Sequence, residues 1–196
     1  MSSETSEMKL IAYEVRQREY RKYDEAYRDL KYAMGLCRTR DAKRDLLDVP
    51  CRGTYLDVGC GRGEMIDYAK SIGFSAYFGT EVVNYLIDGH RVVYGEAHKL
   101  PLPERSIDVA TLFDVIEHLV PGDDFLACQE LRRVTRKHVL ITANNRDSKL
   151  PDGTQLHINK RPYEEWDSLF REWFEGAKVA WLSGHHYVSE GWRIDL

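Results

Sequence analysis

The residues Asp57-x-Gly59-x-Gly61-x-Gly63 follow a short apolar run, 54 to 58, and lead into the helical pattern Met65, Ile66, Ala69 and Ile72. A glycine-rich turn between a strand and a helix lets backbone N–H groups approach a nucleotide-like ligand closely. The spacing decides which ligand. A dinucleotide loop needs glycine at relative positions one, three and six, and Glu64 stands at the sixth. Acids beside the loop would also repel a pyrophosphate. Glu81, Glu96 and Asp114 each follow a later apolar run. In an open α/β sheet ligands bind outside the carboxyl ends of the strands, so Asp57 and these three acids are expected to ring one crevice. Such a site suits a ligand with ribose hydroxyls, an ammonium and a second positive centre, and no phosphate.

S-adenosylmethionine carries those groups. A second set of reactive side chains stands near the last of the four acids: Glu117 and His118 lie on the expected helix after Asp114, and His157 lies in Leu156-His157-Ile158-Asn159, after the fifth run. On a helix, positions 114, 117 and 118 share a face. A hydroxyl acceptor is a poor nucleophile while protonated, so His118 or His157, with Glu117 beside them, are the candidate base and catalytic residues. His185 and His186 are expected in an exposed hairpin turn, and His90, His98 and His138 belong to no constellation.

The elements that must position these groups are legible in the hydrophobic pattern. Tyr20, Tyr23, Tyr27, Leu30 and Met34 recur at steps of three and four, which predicts an N-terminal amphipathic helix closed by Gly35. The near-balanced charges between 14 and 48 read as its solvated face. From Thr54 strands and helices alternate: strands at 54–58, 76–79, 91–94, 109–113 and 138–143, with helices at 65–72, near 83–87, after 113 and at 125–134. A helix over Trp166, Leu169, Phe170 and Trp173 precedes strands 178–182 and 186–194, whose short connection allows only an antiparallel hairpin. The expected fold is α/β: a Rossmann-like, seven-stranded, mostly parallel sheet with helices on both faces and an antiparallel last strand. Residues 1–50 form a helical cap and 51–196 the ligand-binding unit.

The length of 196 residues suits one compact unit, and 28 Lys and Arg against 32 Asp and Glu leave a net charge of −4. That balance disfavours a duplex nucleic-acid binder. No apolar run approaches the roughly 18 residues of a membrane span, and the first eight residues have no leader-like character. Cys37, Cys51, Cys60 and Cys128 show no metal or disulfide spacing, so they read as reduced thiols of a cytoplasmic protein. Trp166, Trp173, Trp181 and Trp192 are expected in the core beneath the last helix and hairpin, and Arg132, Arg133, Arg136 and Lys137 at a helix C-terminus.

Tyr55-Leu56-Asp57-Val58-Gly59-Cys60-Gly61-Arg62-Gly63 resembles the first motif of the class I S-adenosylmethionine-dependent methyltransferases, in particular the ubiquinone-biosynthesis type that acts on small molecules. Glu96-Ala97 before Leu100-Pro101, and Phe113-Asp114-Val115-Ile116-Glu117-His118-Leu119, match later segments of that family. The resemblance implies S-adenosylmethionine as cofactor and S-adenosylhomocysteine as product. It implies cofactor contacts from Asp57, Gly59, Cys60, Gly61, Gly63, Glu81, Val82, Glu96, Ala97 and Asp114, with Glu81 on the ribose hydroxyls and Asp114 near the methionine end. The expected reaction is methyl transfer to a hydroxyl or amine of a small molecule, a sugar among the candidates, without nucleic acid or membrane. Two alternatives stand beside it. Asp114, Glu117, His118 and His157 are similar to the metal-binding set of small-RNA 3'-terminal methyltransferases, and Asp114 with Asn144 and Asn145 to the catechol type; no metal is assigned, but these are the ligands if one is used. The third reading is a non-catalytic, cofactor-binding partner subunit.

Overall fold

The structure is a computed structural model that describes residues 3–29, 32, 36–185 and 189–196. Its centre is one seven-stranded sheet made of β1 (Thr54–Val58), β2 (Ala76–Glu81), β3 (Val92–Tyr94), β4 (Ile107–Leu112), β5 (Thr135–Asn144), β6 (Lys178–Leu182) and β7 (Ser189–Asp195). The order across the sheet is β3-β2-β1-β4-β5-β7-β6. β1 to β5 pair in parallel, and β7 lies antiparallel to both β5 and β6. The strand order reverses between β1 and β4, which opens a crevice at their carboxyl ends.

Among the described residues five α-helices accompany the sheet, α1 (Ser3–Ala26), α2 (Leu36–Leu47), α3 (Glu64–Ser71), α4 (Asp123–Val134) and α5 (Tyr163–Trp173), together with two short 3-10 turns at Asn84–Leu86 and Ile116–His118. Successive strand residues point to opposite faces, and the two cores follow that alternation. Tyr55, Val109 and Leu140 pack with Leu46 of α2 and Met65 and Ala69 of α3. Leu56, Ala110, Val139 and Ile141 pack with Leu131 of α4 and Trp166 and Phe170 of α5. Every residue of β4 is buried, on both faces of the sheet, as befits a central parallel strand.

Several expectations need correction. The N-terminal helix ends at Ala26, after which the amides of Arg28 and Asp29 bond three residues back, to Glu25 and Ala26. The tyrosine spacing continues past that end because Tyr27 and Tyr32 turn inward and meet edge to face, with centroids 4.9 Å apart. Leu30, Met34 and Gly35 lie outside the described residues. A separate α2 follows, and the charges between 14 and 48 are not one solvated face: Glu19, Asp41 and Asp45 are buried.

After Asp114 there is a single 3-10 turn where a helix is expected. Pro121 disfavours helical backbone at Val120, and the true helix starts beyond it at Asp123. His185 is not a surface residue. Its side chain is 1% exposed and its Nε2 lies 2.6 Å from Asp45 Oδ2, which fastens the hairpin to α2; His186 lies outside the described residues. Trp166 and Trp192 are fully buried, whereas Trp181 is 38% exposed on the edge strand β6 and donates its indole N–H to Glu190. Arg133 pairs with Glu130, and Arg136 and Lys137 pair with Asp108, so this basic patch is structural. Cys51, Cys60 and Cys128 are free thiols. Among the described residues no helix is long and apolar enough to cross a membrane.

Candidate active site

The glycine loop runs from the end of β1 into α3 and is bolted to β2. Gly59 and Cys60 donate their amides to the Thr80 carbonyl at 2.8 and 3.1 Å, and Gly61 donates its amide to Glu81 Oε2 at 2.8 Å. Gly59 and Gly61 have φ of +70° and +51°, a left-handed backbone that favours glycine. A Cβ on Gly61 would also lie 2.4 Å from the Tyr27 hydroxyl, so the loop is bare where Tyr27 approaches it.

The four acids do gather at the strand ends, each in its own setting. Glu81 Oε1 accepts the amides of Val82 and Val83 at 2.7 and 3.2 Å. Burial pushes its carboxyl up, against the pull of those backbone donors. Asp57 is buried and accepts the Thr111 hydroxyl at 2.7 Å, and burial pushes it up to about 7. Glu96 accepts the hydroxyls of Tyr94 and Tyr20 at 2.7 and 3.1 Å, and His98 Nε2 lies 3.3 Å away. Asp114 has φ +54°, rare for a residue with a side chain. Its amide donates to Thr142 Oγ1 at 2.8 Å, and its Oδ2 lies 2.7 Å from Arg38 Nη1.

The second set of reactive side chains is assembled by a clip between two loops. The Glu117 carbonyl accepts the amides of Ile158 and Asn159 at 3.0 and 2.9 Å, and Asn159 Nδ2 donates to the Ile116 carbonyl at 3.3 Å. This holds the segment after β5 against the turn after β4 and sets the rings of His118 and His157 edge to face, 4.6 Å apart. His157 Nδ1 donates to the Arg146 carbonyl at 2.6 Å, which leaves Nε2 with its lone pair. His118 Nδ1 lies 2.6 Å from the Tyr23 hydroxyl and 3.2 Å from the Leu156 carbonyl, which also lies 3.2 Å from that hydroxyl. The assignment that satisfies all three has Nδ1–H donating to Tyr23 and the hydroxyl donating to Leu156. Burial holds His118 down to about 3, with His157 adding to the effect, and holds His157 down to about 4.

Glu117 is completely buried, and neither carboxyl oxygen makes a hydrogen bond of normal geometry. Burial and the neighbouring Asp114 push its carboxyl well above the usual range. One ligand atom from each of Glu117, His118 and His157 lies within 4.8 Å of the others. The structure thus brings together three of the four expected ligands. Asp114 is not in that group, since it faces Arg38. Of the catechol-type set, Asn144 Oδ1 accepts the Arg146 amide at 2.9 Å, and Asn145 Oδ1 is buried with no hydrogen-bond partner among the described residues.

The residues that sequence reasoning missed come from the N-terminal segment. Tyr20, Tyr23, Tyr27 and Tyr32 roof the crevice on the side of Glu81, Val82 and Ala97, while Tyr27, Tyr32 and Arg38 border the half with Asp57, Gly61 and His157. α1 is held there by Arg16, whose Nε and Nη2 bond Asp123 at 2.6 and 2.5 Å. The available signal was chemical: tyrosine recurs where leucine would fill a core equally well.

Residues 56–142 match the family described as "Methyltransferase domain". No curated protein sequence matches the chain. Among solved structures, the PH0226 protein from Pyrococcus horikoshii OT3 is similar with a TM-score of 0.65 and 16% identity, over 81% of this chain and 90% of that one. A SAM-dependent methyltransferase from Archaeoglobus fulgidus matches with a TM-score of 0.60 and 16% identity, over 82% and 93%. The 1,6-didemethyltoxoflavin-N1-methyltransferase of Burkholderia thailandensis, solved with 1,6-didemethyltoxoflavin and S-adenosylhomocysteine, matches with a TM-score of 0.62 and 17% identity, over 99% and 91%. At such identities the likeness is one of fold.

Proposed function

Since the chain carries a class I S-adenosylmethionine-dependent methyltransferase domain, we propose that it methylates a hydroxyl or amine of a small molecule, a sugar among the candidates, seated against Glu117, His118 and His157. The observation that carries this reading is the tyrosine roof. Tyr23, Tyr27 and Tyr32 line the crevice beside Asp114 and His118 with aromatic rings, and Arg38 is engaged with Asp114. An RNA 3' end would need free cations beside Asp114, whereas Arg38 is paired with Asp114 and Arg62 donates to the carbonyls of Tyr27 and Asp29. A non-catalytic subunit would have no use for a carboxyl and two imidazoles beside the glycine loop.

The residues present fit the cofactor, which when bound supplies an electrophilic methyl group on a sulfonium centre. The bare backbone at Gly61 admits close approach, and Glu81 retains lone pairs for ribose hydroxyls after accepting its three amides. Transfer is an in-line displacement, so orientation between roof and loop accounts for most of the rate. His157 is neutral at pH 7, as burial holds it down to about 4, and its free Nε2 would accept the acceptor's proton.

A second reading has an observation of its own. Two imidazoles pinned at Nδ1 by oxygen atoms, beside a buried carboxyl with no aligned partner, are a mixed oxygen and nitrogen set suited to manganese, magnesium or iron. Glu117, His118 and His157 would hold the ion, and it would lower the pKa of an acceptor hydroxyl. Mass and elemental analysis of the protein as purified tests both readings. Co-purifying S-adenosylhomocysteine with a small hydroxylated or amine compound supports the first, and a stoichiometric divalent metal adds the second. A co-purifying RNA fragment overturns the small-molecule reading.

A further inference from the structure

Around the candidate base the walls of the crevice are aromatic, and their rings meet at right angles. Tyr23 and His118 lie edge to face with centroids 5.2 Å apart and planes at 86°, and His118 and His157 repeat the arrangement at 4.6 Å and 82°. Tyr32 stands at 85° to Tyr27 and shares with Tyr23 an apolar cluster built on Ala26, Leu150 and Leu156. Tyr23, Tyr27, Tyr32 and His118 all line the crevice, and His157 borders the half with the glycine loop. Perpendicular rings present their faces in different directions, so together they can enclose a compact group on more than one side.

The charges near these rings do not balance. Of the cations bordering the crevice, Arg38 is paired with Asp114, and Arg62 is exposed with its guanidinium 5.5 Å from the Tyr27 ring centroid. One tyrosine of the roof thus already carries a cation. Among the acids, Glu19 is paired with Lys22 and Asp123 with Arg16. Glu117 has no such partner: it is fully buried, and neither carboxyl oxygen makes a hydrogen bond of normal geometry among the described residues. It lies close enough for its charge to be felt by both Tyr23 and Tyr32. Ring faces carry the negative part of an aromatic quadrupole, so rings and carboxylate together favour a positive ligand.

We propose that the methyl acceptor is recognised as a cation, an amine carried as its ammonium among the rings of Tyr23, Tyr32 and His118, with Glu117 as the uncompensated negative charge beside them. Aromatic enclosure is a common means of holding alkylated ammonium groups. The inference rests on the small-molecule reading above and narrows it from hydroxyl or amine to amine. An uncharged hydroxyl compound would gain nothing from the ring quadrupoles or from Glu117. In the reaction the ammonium first gives up one proton, the step assigned above to the base. Its nitrogen lone pair then forms the new bond to the methyl carbon while the carbon–sulfur bond breaks and leaves its electron pair on sulfur. The sulfonium charge disappears and the methylated nitrogen becomes positive. Substrate ammonium and product ammonium each carry one positive charge, so the same rings suit both.

Choline and dimethylbutanol, its uncharged isostere with carbon in place of nitrogen, have one shape and differ in charge, so they serve as probes. Both would be titrated by calorimetry into the full chain saturated with S-adenosylhomocysteine, which brings no sulfonium charge, in EDTA so that no metal occupies Glu117, His118 and His157. Choline is expected to bind at least about tenfold more tightly, the scale of cation–π contacts in a desolvated site. Tyr32→Phe should keep that ratio, and Tyr32→Leu, which retains apolar bulk without the ring, should cut it severalfold. The ratio is read within one variant, so a general weakening cancels, and the wild-type comparison stands even if Tyr32→Leu does not fold. Equal binding of the two probes, binding of neither, or a ratio unchanged in Tyr32→Leu would overturn the proposal. In a methyl-transfer assay, label on an uncharged hydroxyl acceptor would overturn it while leaving the small-molecule reading in place, whereas label confined to RNA would end both.

Discussion

The Tyr23 hydroxyl lies 2.6 Å from His118 Nδ1, a contact between the first helix and the turn after β4 that spans 95 positions of sequence. It makes the orientation of a candidate catalytic imidazole depend on whether α1 is in place. Tyr23→Phe removes the hydroxyl and leaves Nδ1 with only the Leu156 carbonyl, 3.2 Å away. The expected cost is about 1 kcal/mol of stability, the usual worth of one hydrogen bond. Turnover should fall more than S-adenosylhomocysteine affinity does, and steady-state kinetics beside a binding titration checks the split.

Gly61→Val is expected to abolish cofactor binding. The new Cβ would meet the Tyr27 hydroxyl at 2.4 Å on a backbone with φ +51°. A titration with S-adenosylhomocysteine should show no heat, while circular dichroism confirms that the sheet remains.

Glu81→Ala has two expected effects, because Glu81 serves the loop as well as the ligand. Three amides, of Gly61, Val82 and Val83, lose their acceptor. Cofactor affinity should weaken by roughly 1 to 3 kcal/mol, and the melting temperature should drop as well. Unchanged binding in this variant would mean that the carboxylate only braces the loop.

Acid should destabilise the fold through His118 and His157. Both are held below the ordinary 6.5, to about 3 and about 4. Above pH 6.5 neither state binds these protons, and stability is unaffected. As pH falls from 6.5 toward 4 the unfolded chain takes up protons that the folded one refuses, so stability declines across that window. Asp57, pushed up to about 7, works in the opposite sense and remains in both proteins compared. The His118→Gln, His157→Gln double variant should therefore lose less stability than wild type between pH 6.5 and 4, as read by urea unfolding at each pH.

The sheet was legible because its signals are local. Each parallel strand is a short apolar run ending at a turn residue, and the glycine spacing with Asp57 ahead of it distinguishes the loop from a dinucleotide fingerprint. The acids at the strand ends followed from the same register. What escaped was the contribution of the N-terminal segment, where long-range contacts outweigh local pattern. Tyr27 continues a helical spacing that the chain abandons at Ala26 in order to place rings over the crevice. Arg38 sits among balanced charges, and only the fold brings it to Asp114, 76 positions later. Glu117 and His118 were found for a partly mistaken reason. A helix was expected, whereas a single turn before Pro121 carries them, and the clip to Ile158 and Asn159 is what brings His157 alongside.

The most direct test of the account is methyl transfer itself. The purified protein would be incubated with S-adenosylmethionine bearing a deuterated methyl group, and with a panel of small sugars, phenols and amines beside RNA oligonucleotides with free 3' ends. Mass spectrometry would then locate the label. The account predicts label on a small hydroxyl or amine acceptor, lost in Gly61→Val and strongly reduced in the His118→Ala, His157→Ala double variant. Label confined to RNA, or full transfer by that double variant, would contradict it.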